Sequence, residues 1–375
     1  MSTQVTTTNP DSKPSKKPSL LGLTKDDLGE LLKQHGEPAY RAGQILEWLY
    51  KHRVNDIDQM LNLPESLRNI LKENFTSQTL TESQVNGSED TTRKFLFKLH
   101  DCRYIETVLI PASKGLYGDK ADRLTACVSS QVGCAYACKF CASGLAGLTR
   151  NLSADEIVGQ LLAVEASAGA KINNIVFMGM GEPLANMKHL EKALDIITAP
   201  WGMNIGARHI TISTSGLAPM IKKLADRPQQ IRLAISLHGA TNEVRDKIMP
   251  VNSKWKIEEL FEALHYYKTK SNKRLTLEYI LIKGVNDSLE QATILAKRAK
   301  SLKALVNVIP YNTVDGLDWE RPDAEHCYAF RNTVRDTGVT TTMRIEKGHD
   351  INAACGQLRL KQETEEGIIE PAVRG

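Results

Sequence analysis

Long hydrophobic runs are missing from this sequence. Its 375 residues contain no apolar stretch that approaches the roughly 18–20 residues of a membrane-spanning helix. The N-terminus is rich in Thr, Ser, Pro and Lys and lacks the apolar core of a secretory signal. We therefore expect a cytoplasmic protein without a membrane partner, and a disordered tail over residues 1–19.

Strong net charge and abundant cysteine are missing as well. The 48 Lys and Arg residues nearly balance the 44 Asp and Glu residues, and the resulting net charge of +4 does not separate an RNA-binding enzyme from one with small substrates. Seven cysteines are present, and four of them lie between Cys127 and Cys141. An odd and clustered set argues against a disulfide framework. In a reducing compartment, such cysteines more often bind metals or take part in catalysis.

The first part of the chain is predicted to be a small helical accessory domain over residues 20–82. Apolar residues recur at helical spacing in three segments, which Gly36–Pro38 and Pro64 separate. Several Arg, Lys and His residues accompany them, so the domain is interpreted either as a packing unit or as an RNA-contacting module. Residues 83–118 alternate like strands and are predicted to form a β-hairpin linker.

Residues 119–360 alternate short β-rich runs with stretches compatible with helix. The strands after the cysteine-rich segment are predicted at Ile175–Met178, His209–Ser213, Ile231–Ser236, Arg274–Ile282, Leu305–Ile309 and Thr341–Ile345. This alternation indicates an α/β fold, either a barrel or a doubly wound sheet, and its regularity favours a partial parallel (β/α) barrel. Ligands then bind at the carboxyl ends of the strands. Residues 361–375 are predicted to be a C-terminal tail.

Three cysteines stand in a C-x3-C-x2-C arrangement, namely Cys134, Cys138 and Cys141. Thiolates are the ligands of iron–sulfur clusters, and three of them leave one iron of a [4Fe–4S] cube open to a non-protein ligand. A structural zinc site is the alternative, but it needs a closed shell of four ligands. No fourth ligand stands at a familiar spacing, although Cys127 or a distant His could serve.

The cysteine motif, with Phe140 before its last cysteine, resembles that of the radical S-adenosylmethionine (SAM) superfamily. The resemblance implies a [4Fe–4S] cluster whose open iron binds SAM, and cleavage of SAM to a 5′-deoxyadenosyl radical. The segment Gly179–Leu184 is similar to the Gly-Gly-Glu-Pro element of that superfamily. By this resemblance, the residues expected to hold SAM are Gly181, Glu182, Ser213, Ser236, Leu237, His238 and Asn312.

Four segments closely resemble the RlmN/Cfr family of radical SAM RNA adenine methyltransferases: Cys127–Cys134, Gly179–Pro183, Ile235–His238 and Asp350–Leu358. The match implies methylation of an adenine at C2 in the peptidyl-transferase region of 23S rRNA, and of the adenine 3′ of the anticodon in some tRNAs. It also implies that Cys355 accepts a methyl group from the first of two SAM molecules used per turnover. Cys127 would then resolve the enzyme–RNA adduct through a transient disulfide, and Glu106 would accept a proton. We also expect a monomer and an electron donor such as flavodoxin or ferredoxin.

Several alternatives stay open at this point. The segment Ala142–Leu148 departs from the more polar pattern of many family members, which leaves substrate details in doubt, and the motifs do not separate C2 from C8 methylation. A radical enzyme with a non-RNA substrate has no need for Cys127 and Cys355, and a zinc-dependent RNA-binding module would need no cluster. Arg150 is interpreted either as a phosphate contact or as a surface charge. Cys102 and Cys327 are expected to be structural.

Overall fold

The computed structural model describes residues 17–88, 91–112, 123–314, 317–344 and 357–369. Three helices near the N-terminus confirm the predicted helical pattern: α1 (Lys25–Gln34), α2 (Arg41–Tyr50) and α3 (Glu65–Asn74). Thr24 and Asp27 form a capping box that starts α1, and Pro64 precedes α3. Leu28 and Leu67 are among the leucines that these helices bury on their inner faces.

The described strands form one ten-stranded sheet and a separate pair. The strands, in chain order, are β1 (Thr81–Gly87), β2 (Arg93–Lys98), β3 (Tyr104–Pro111), β4 (Leu124–Cys127), β5 (Gln131–Gly133), β6 (Leu148–Asn151), β7 (Asn174–Phe177), β8 (Ile210–Thr214), β9 (Arg232–Ser236), β10 (Leu275–Leu281), β11 (Leu305–Pro310) and β12 (Thr341–Met343). The large sheet has the order β1-β2-β3-β4-β7-β8-β9-β10-β11-β12, and β5 pairs with β6. All six strands predicted after the cysteine-rich segment are therefore confirmed.

From β4 to β12 the neighbouring strands of the large sheet are parallel. Its order is linear within the described part of the chain, so these strands form an open, partial barrel as predicted. From β1 to β4 the neighbours are antiparallel. The predicted hairpin corresponds to β2 and β3, and β3 joins it directly to the catalytic sheet. Strand β1 was missed because nearly all of its side chains are exposed, which leaves no alternation of apolar residues.

Helices follow most of the parallel strands and cover the sheet. They are α4 (Ala154–Ala168), α5 (Met187–Thr198), α6 (Ala218–Ala225), α7 (Asn242–Ile248), α8 (Ile257–Lys270), α9 (Leu289–Leu302), α10 (Ala324–Arg335) and α11 (Gln357–Glu365). Strands such as β7 and β9 bury Ile175, Phe177 and Leu233 beneath these helices. Within the described residues, no helix combines the length and apolar character that crossing a membrane requires.

The predicted C-terminal tail is wrong for its first residues, because α11 extends into it and packs against β3. The backbone N–H of Tyr104 donates to Glu363 Oε1 at 3.0 Å, and the Tyr104 hydroxyl donates to Glu366 at 2.6 Å. Arg359 and Glu363 are fully buried and form an ion pair at 2.8 Å. This helix docks through polar contacts rather than an apolar face, so hydrophobic periodicity did not reveal it.

Candidate active site

A cavity of about 360 Å³ opens at the carboxyl ends of the parallel strands. This is the position expected for the ligand site of such a sheet. Most of the predicted site residues line it: Cys127, Cys134, Cys138, Cys141, Gly181, Glu182, Ser213, Ser236, His238 and Asn312. Leu237 and Glu106 are buried beside the cavity rather than in its wall, and Cys355 lies outside the described residues.

The three motif cysteines lie on a loop that the short strands β5 and β6 hold at its base. The backbone N–H of Cys134 donates to the Gly147 carbonyl at 2.9 Å, which closes the loop just after β5. Farther along, the Lys139 N–H donates to the Ile248 carbonyl at 3.0 Å, and the Trp319 indole N–H donates to the Lys139 carbonyl at 2.9 Å. The loop is therefore fixed at both its base and its tip.

The environment of these cysteines disfavours isolated thiolates. Burial raises the pKa of Cys134 to about 12, and a backbone N–H from Tyr136 only partly opposes this shift. Burial and repulsion from the neighbouring sulfurs of Cys141 and Cys134 raise the pKa of Cys138 well above its ordinary value. Metal ligation requires the deprotonated form. A positively charged metal centre would compensate the three thiolates, so the donor set fits a metal centre better than free thiols.

The cavity also fits the two groups that the motifs imply. No three His, Cys, Asp or Glu side chains of the described residues converge where a single metal ion could bind. A [4Fe–4S] cube does not need that convergence, because each cysteine binds a different iron. Tyr311 lines the same cavity and is buried, and the contact of its hydroxyl with the Val314 backbone falls short of a well-formed hydrogen bond. A buried hydroxyl of this kind is costly unless a bound group satisfies it.

Glu182 is held firmly in the cavity wall. Its Oε2 accepts hydrogen bonds from the Ser215 N–H at 2.7 Å and the Ser215 hydroxyl at 2.8 Å, while Oε1 accepts from the Leu184 N–H at 3.0 Å. Burial raises the pKa of the Glu182 carboxyl, and these donors oppose the shift by stabilising its ionised form. The Thr214 hydroxyl also donates to this carboxylate, so donors from three residues hold Glu182 in one orientation.

Gly181 precedes this glutamate and needs to be glycine. Its φ is +95°, in the region that side chains rarely adopt. A Cβ atom on Gly181 would lie 2.5 Å from the Cβ of Gln131, so the backbone approaches that side chain too closely for any other residue. The resemblance of Gly179–Pro183 to a cofactor loop therefore has a local physical reason.

Sequence reasoning missed Gln131 and Ser129, which join the cofactor loop to the rest of the site. The Gln131 Oε1 accepts from the Glu182 N–H at 2.8 Å, and its Nε2 donates to Asn151 at 2.7 Å. The Ser129 hydroxyl donates to the Glu106 carbonyl at 2.6 Å and accepts from the Met180 N–H at 3.0 Å. Both belong to the segment after Cys127 that resembles the family, but only the fold reveals their partners.

His238 is buried in the cavity wall, and its backbone has a φ of +53°. Burial, together with the nearby positive charge of Arg245, lowers the pKa of His238 to about 3. Its Nδ1 accepts from the Ile280 N–H at 3.0 Å, which assigns the ring proton to Nε2. The ring meets Phe140 edge-on at 4.8 Å between centroids. His238 is thus a neutral side chain that links the cysteine loop to β10.

Arg245 is a second residue that sequence reasoning missed. Its guanidinium is buried beside the strand ends and donates to the carbonyls of Leu237 at 2.6 Å, Ser215 at 2.9 Å and Ser236 at 3.3 Å, and to Asn252 Oδ1 at 3.1 Å. Burial lowers its pKa to about 10, which leaves it charged at neutral pH. It fixes the backbone of Ser236 and Leu237, two of the residues predicted to bind SAM, and that of Ser215.

The antiparallel side of the cavity holds Cys127 and, next to it, Glu106. Cys127 is buried at the end of β4, opposite Val108 of β3. Glu106 is 2% exposed and forms an ion pair with the fully buried Lys94 at 2.8 Å. It is therefore not the solvent-facing strand residue that its sequence position alone suggests.

Three further residues named from the sequence are Arg150, Cys327 and Cys102. Arg150 donates to Glu156 at 2.7 Å and to Asp101 at 2.6 Å, so the structure supports a structural ion pair rather than a phosphate contact. Cys327 is buried as expected, whereas Cys102 is exposed in the turn between β2 and β3.

Comparison with known proteins agrees with this arrangement. Residues 128–294 match the family model of the Radical SAM superfamily, and residues 19–76 match that of the Ribosomal RNA large subunit methyltransferase N-terminal domain. A protein of Akkermansia muciniphila named as a dual-specificity RNA methyltransferase RlmN is 55% identical over 348 residues, which cover 93% of this chain and 97% of that protein. A protein of Opitutus terrae with the corresponding name, RlmN 3, is 51% identical over 366 residues, covering 95% and 98%.

A solved structure gives the same result. The crystal structure of a radical SAM methyltransferase from Sphaerobacter thermophilus is 42% identical, covers 91% of this chain and 98% of its own, and superposes with a TM-score of 0.85. The cavity, its cysteine loop and the glycine–glutamate element thus occur in a chain that resembles these proteins over nearly its whole length. The protein belongs to the RlmN family of radical SAM methyltransferases.

Proposed function

We propose that this enzyme methylates C2 of an adenine in the peptidyl-transferase region of 23S rRNA and of the adenine 3′ of the anticodon in some tRNAs. The observation that carries the proposal is a single cavity lined by the three motif cysteines, the Gly181–Glu182 element and Cys127. A [4Fe–4S] cluster and SAM, the cofactors of this family, supply a 5′-deoxyadenosyl radical when bound. Adenine C2 is an electrophilic C–H carbon, which polar transfer from a sulfonium methyl cannot alkylate.

Different residues of the cavity bind the cluster and SAM in this proposal. We assign cluster binding to Cys134, Cys138 and Cys141. We assign SAM binding to the side chains or backbone of Gly181, Glu182, Ser213, Ser236, Leu237, His238 and Asn312. The hydroxyls of Ser213 and Ser236 lie 3.4 Å apart at the ends of β8 and β9, so both face the same part of the cavity.

The methyl group is carried by protein in this proposal. Cys355 receives it from SAM and delivers the carbon to adenine C2, Glu106 accepts the C2 proton, and Cys127 attacks the sulfur of Cys355 to release the methylated base. Family resemblance supports these roles. The structure adds that α11 begins two positions after Cys355 in sequence and packs on β3, the strand that pairs with the strand of Cys127.

Substitution of the two cysteines tests this route. We expect Cys355→Ala to abolish methyl transfer, since no thiol accepts the methyl group. We expect Cys127→Ala to accumulate a covalent protein–RNA adduct, since resolution needs a second thiolate. The exposed Cys102→Ala is the matched control and should keep wild-type turnover. Full activity of Cys355→Ala in reconstituted, oxygen-protected enzyme would refute the route.

Mass spectrometry of RNA identifies the modified atom. In a strain that lacks the gene, we expect 2-methyladenosine to disappear from 23S rRNA and from a subset of tRNAs, and to return on complementation. Loss of 8-methyladenosine instead would show the C8 chemistry of the related enzymes. No change in either nucleoside would refute RNA adenine methylation.

We further propose that the N-terminal helical domain, residues 20–82, contacts the RNA. Tyr40 is 60% exposed, and the guanidinium of Arg41 lies 5.0 Å from its ring centroid, an arrangement that suits stacking on an unpaired base near a phosphate. Replacing both residues with Ala should weaken tRNA binding while SAM binding stays unchanged. Equal RNA affinity of the variant and the wild type would contradict this contact.

The remaining partners are proposed from the resemblance. The enzyme acts as a monomer and takes electrons from a flavodoxin or ferredoxin. Light scattering during chromatography and reduction of the reconstituted cluster by each purified donor test these two points separately.

A further inference from the structure

The ion pair between Lys94 and Glu106 is buried behind the antiparallel side of the cavity, outside the set of residues assigned to cofactor binding. Lys94 Nζ is 2.8 Å from Glu106 Oε2, and the two side chains are 0% and 2% exposed. The other oxygen, Oε1, accepts the backbone N–H of Arg359 in the first turn of α11 at 2.7 Å. The carboxylate is thus held from two sides, by β2 and by α11.

Strand register places this pair next to the reaction side of the cavity. Lys94 lies opposite Val108 on the neighbouring strand, and Val108 in turn lies opposite Cys127. Val108 and Cys127 line the cavity. Glu106 is two residues before Val108 on β3 and therefore faces the same side of the sheet, roughly 7 Å farther along the strand.

Stability alone does not account for a buried ion pair at this point. Taking both charges out of water costs several kcal/mol per ion, and well-packed apolar residues of similar volume are often as stable or more so. The same face of these strands supplies such apolar neighbours, since Leu96 lies opposite Glu106, Val108 lies opposite Lys94, and both are buried. A charged pair in this place points to a role in the chemistry of the adjacent cavity.

We propose that Lys94 is a positioning residue for RNA methylation: it holds Glu106 Oε2 so that the carboxylate keeps one orientation beside Cys127 as it accepts the proton from adenine. The inference rests on the proposed role of Glu106. Lys94 itself touches no substrate. The Arg359 N–H fixes the second oxygen, so Lys94 and the start of α11 together set the plane of the carboxylate.

A double-mutant cycle tests the proposal. The variants are Lys94→Met, Glu106→Gln and the double variant, with Lys94→Arg as the conservative change. Lys98→Met is the matched control, because Lys98 lies on the same strand. Its side chain is 39% exposed, and its ion pair with Glu366 is long, at 3.9 Å. Four quantities are measured: cluster content, methylation of Cys355 without RNA, single-turnover methyl transfer to RNA, and the unfolding midpoint.

We expect Lys94→Met to slow methyl transfer to RNA at least tenfold, with cluster content and RNA-independent methylation of Cys355 within twofold of wild type. Lys94→Arg should recover part of the rate, and Lys98→Met should keep it. In the Glu106→Gln background, Lys94→Met should cause no further loss, since Lys94 acts only through Glu106. The double variant buries no unpaired charge. If Lys94→Met alone folds poorly, comparison of the double variant with Glu106→Gln still tests the proposal.

Other outcomes overturn the proposal in recognisable ways. A parallel fall of cluster content, Cys355 methylation and RNA methylation would make Lys94 a structural residue. An additive loss in the double variant would show that it acts independently of Glu106, and an unchanged rate in Lys94→Met would show no role at all. If the wild-type enzyme itself methylates no adenine, the proposed function is refuted. Failure of the Lys94 proposal alone leaves the wild-type activity intact, so the two results are distinguishable.

Discussion

Replacing Arg245 with Leu should be among the most damaging single changes near the site. The guanidinium is 1% exposed and makes three hydrogen bonds of 3.1 Å or less, to the Leu237 and Ser215 carbonyls and to Asn252. Hydrogen bonds to charged groups contribute about 1.5–3 kcal/mol each. The burial cost of the guanidinium, which also disappears in the variant, offsets part of this sum. We therefore expect a net loss of about 3–5 kcal/mol in the free energy of unfolding.

Urea unfolding, followed by circular dichroism, measures this loss, and isothermal titration with SAM measures its effect on the site. SAM affinity should fall as well, because Ser215 positions Glu182 and its carbonyl loses a donor. Arg298→Leu is the control, since its guanidinium is 24% exposed and donates to one carbonyl, that of Ala240, at 2.7 Å. A free energy of unfolding for Arg245→Leu within about 1 kcal/mol of wild type would refute the reasoning.

Three further predictions concern the cofactor loop, His238 and the thiols. Gly181→Ala should weaken SAM binding at least tenfold by calorimetry, because its φ of +95° and the Gln131 side chain leave no space for a Cβ atom. In the unfolded chain His238 takes up a proton below about pH 6.5, whereas in the folded protein its pKa is about 3. Between these two values the unfolded state binds more protons, so the free energy of unfolding should fall as pH drops, by up to about 1.4 kcal/mol per pH unit. His238→Asn, which tolerates positive φ, should reduce that slope of the unfolding free energy. In cluster-free protein at pH 8, iodoacetamide should alkylate the exposed Cys102 well before Cys134, whose pKa of about 12 leaves little thiolate, as peptide mass spectrometry will show.

Each of these has a clear contrary result. Unchanged SAM affinity in Gly181→Ala would mean that the loop relaxes freely around a side chain. Equal pH slopes for wild type and His238→Asn would show that His238 titrates normally in the folded protein. Equal alkylation rates for the two cysteines would show that the motif loop opens readily without its cluster.

The sequence predicted the elements of the fold better than the connections between them. The six strands after the cysteine-rich segment were found because they are rich in β-branched and apolar residues, most of them buried. The cysteine loop was found because its spacing is specific. Strand β1 and helix α11 were missed, since neither has an apolar face. Their contacts are polar or exposed, and hydrophobic periodicity cannot detect them.

In the candidate site, too, the sequence identified residues but not the contacts between them. Gly181 and Glu182 were identified through a motif, yet the partners that hold them, Gln131 and Ser215, lie 50 and 33 residues away in sequence: from 181 to 131, and from 182 to 215. Burial of Glu106 was not foreseen, because an isolated Glu in a strand normally faces water and the buried Lys94 lies on a different strand. Long-range polar pairing of this kind leaves no periodic signal in one sequence.

The attachment of β1–β3 to the edge of the parallel sheet has a consequence for how this enzyme can diversify. One side of the cavity comes from the parallel strands, and the other comes from the antiparallel ribbon β1–β3, which joins the parallel sheet through β4. In the proposed mechanism, cluster and SAM binding therefore belong to the parallel sheet, whereas the proton acceptor Glu106 belongs to the ribbon. We expect substitutions on the ribbon to change the RNA step while cluster content stays unchanged.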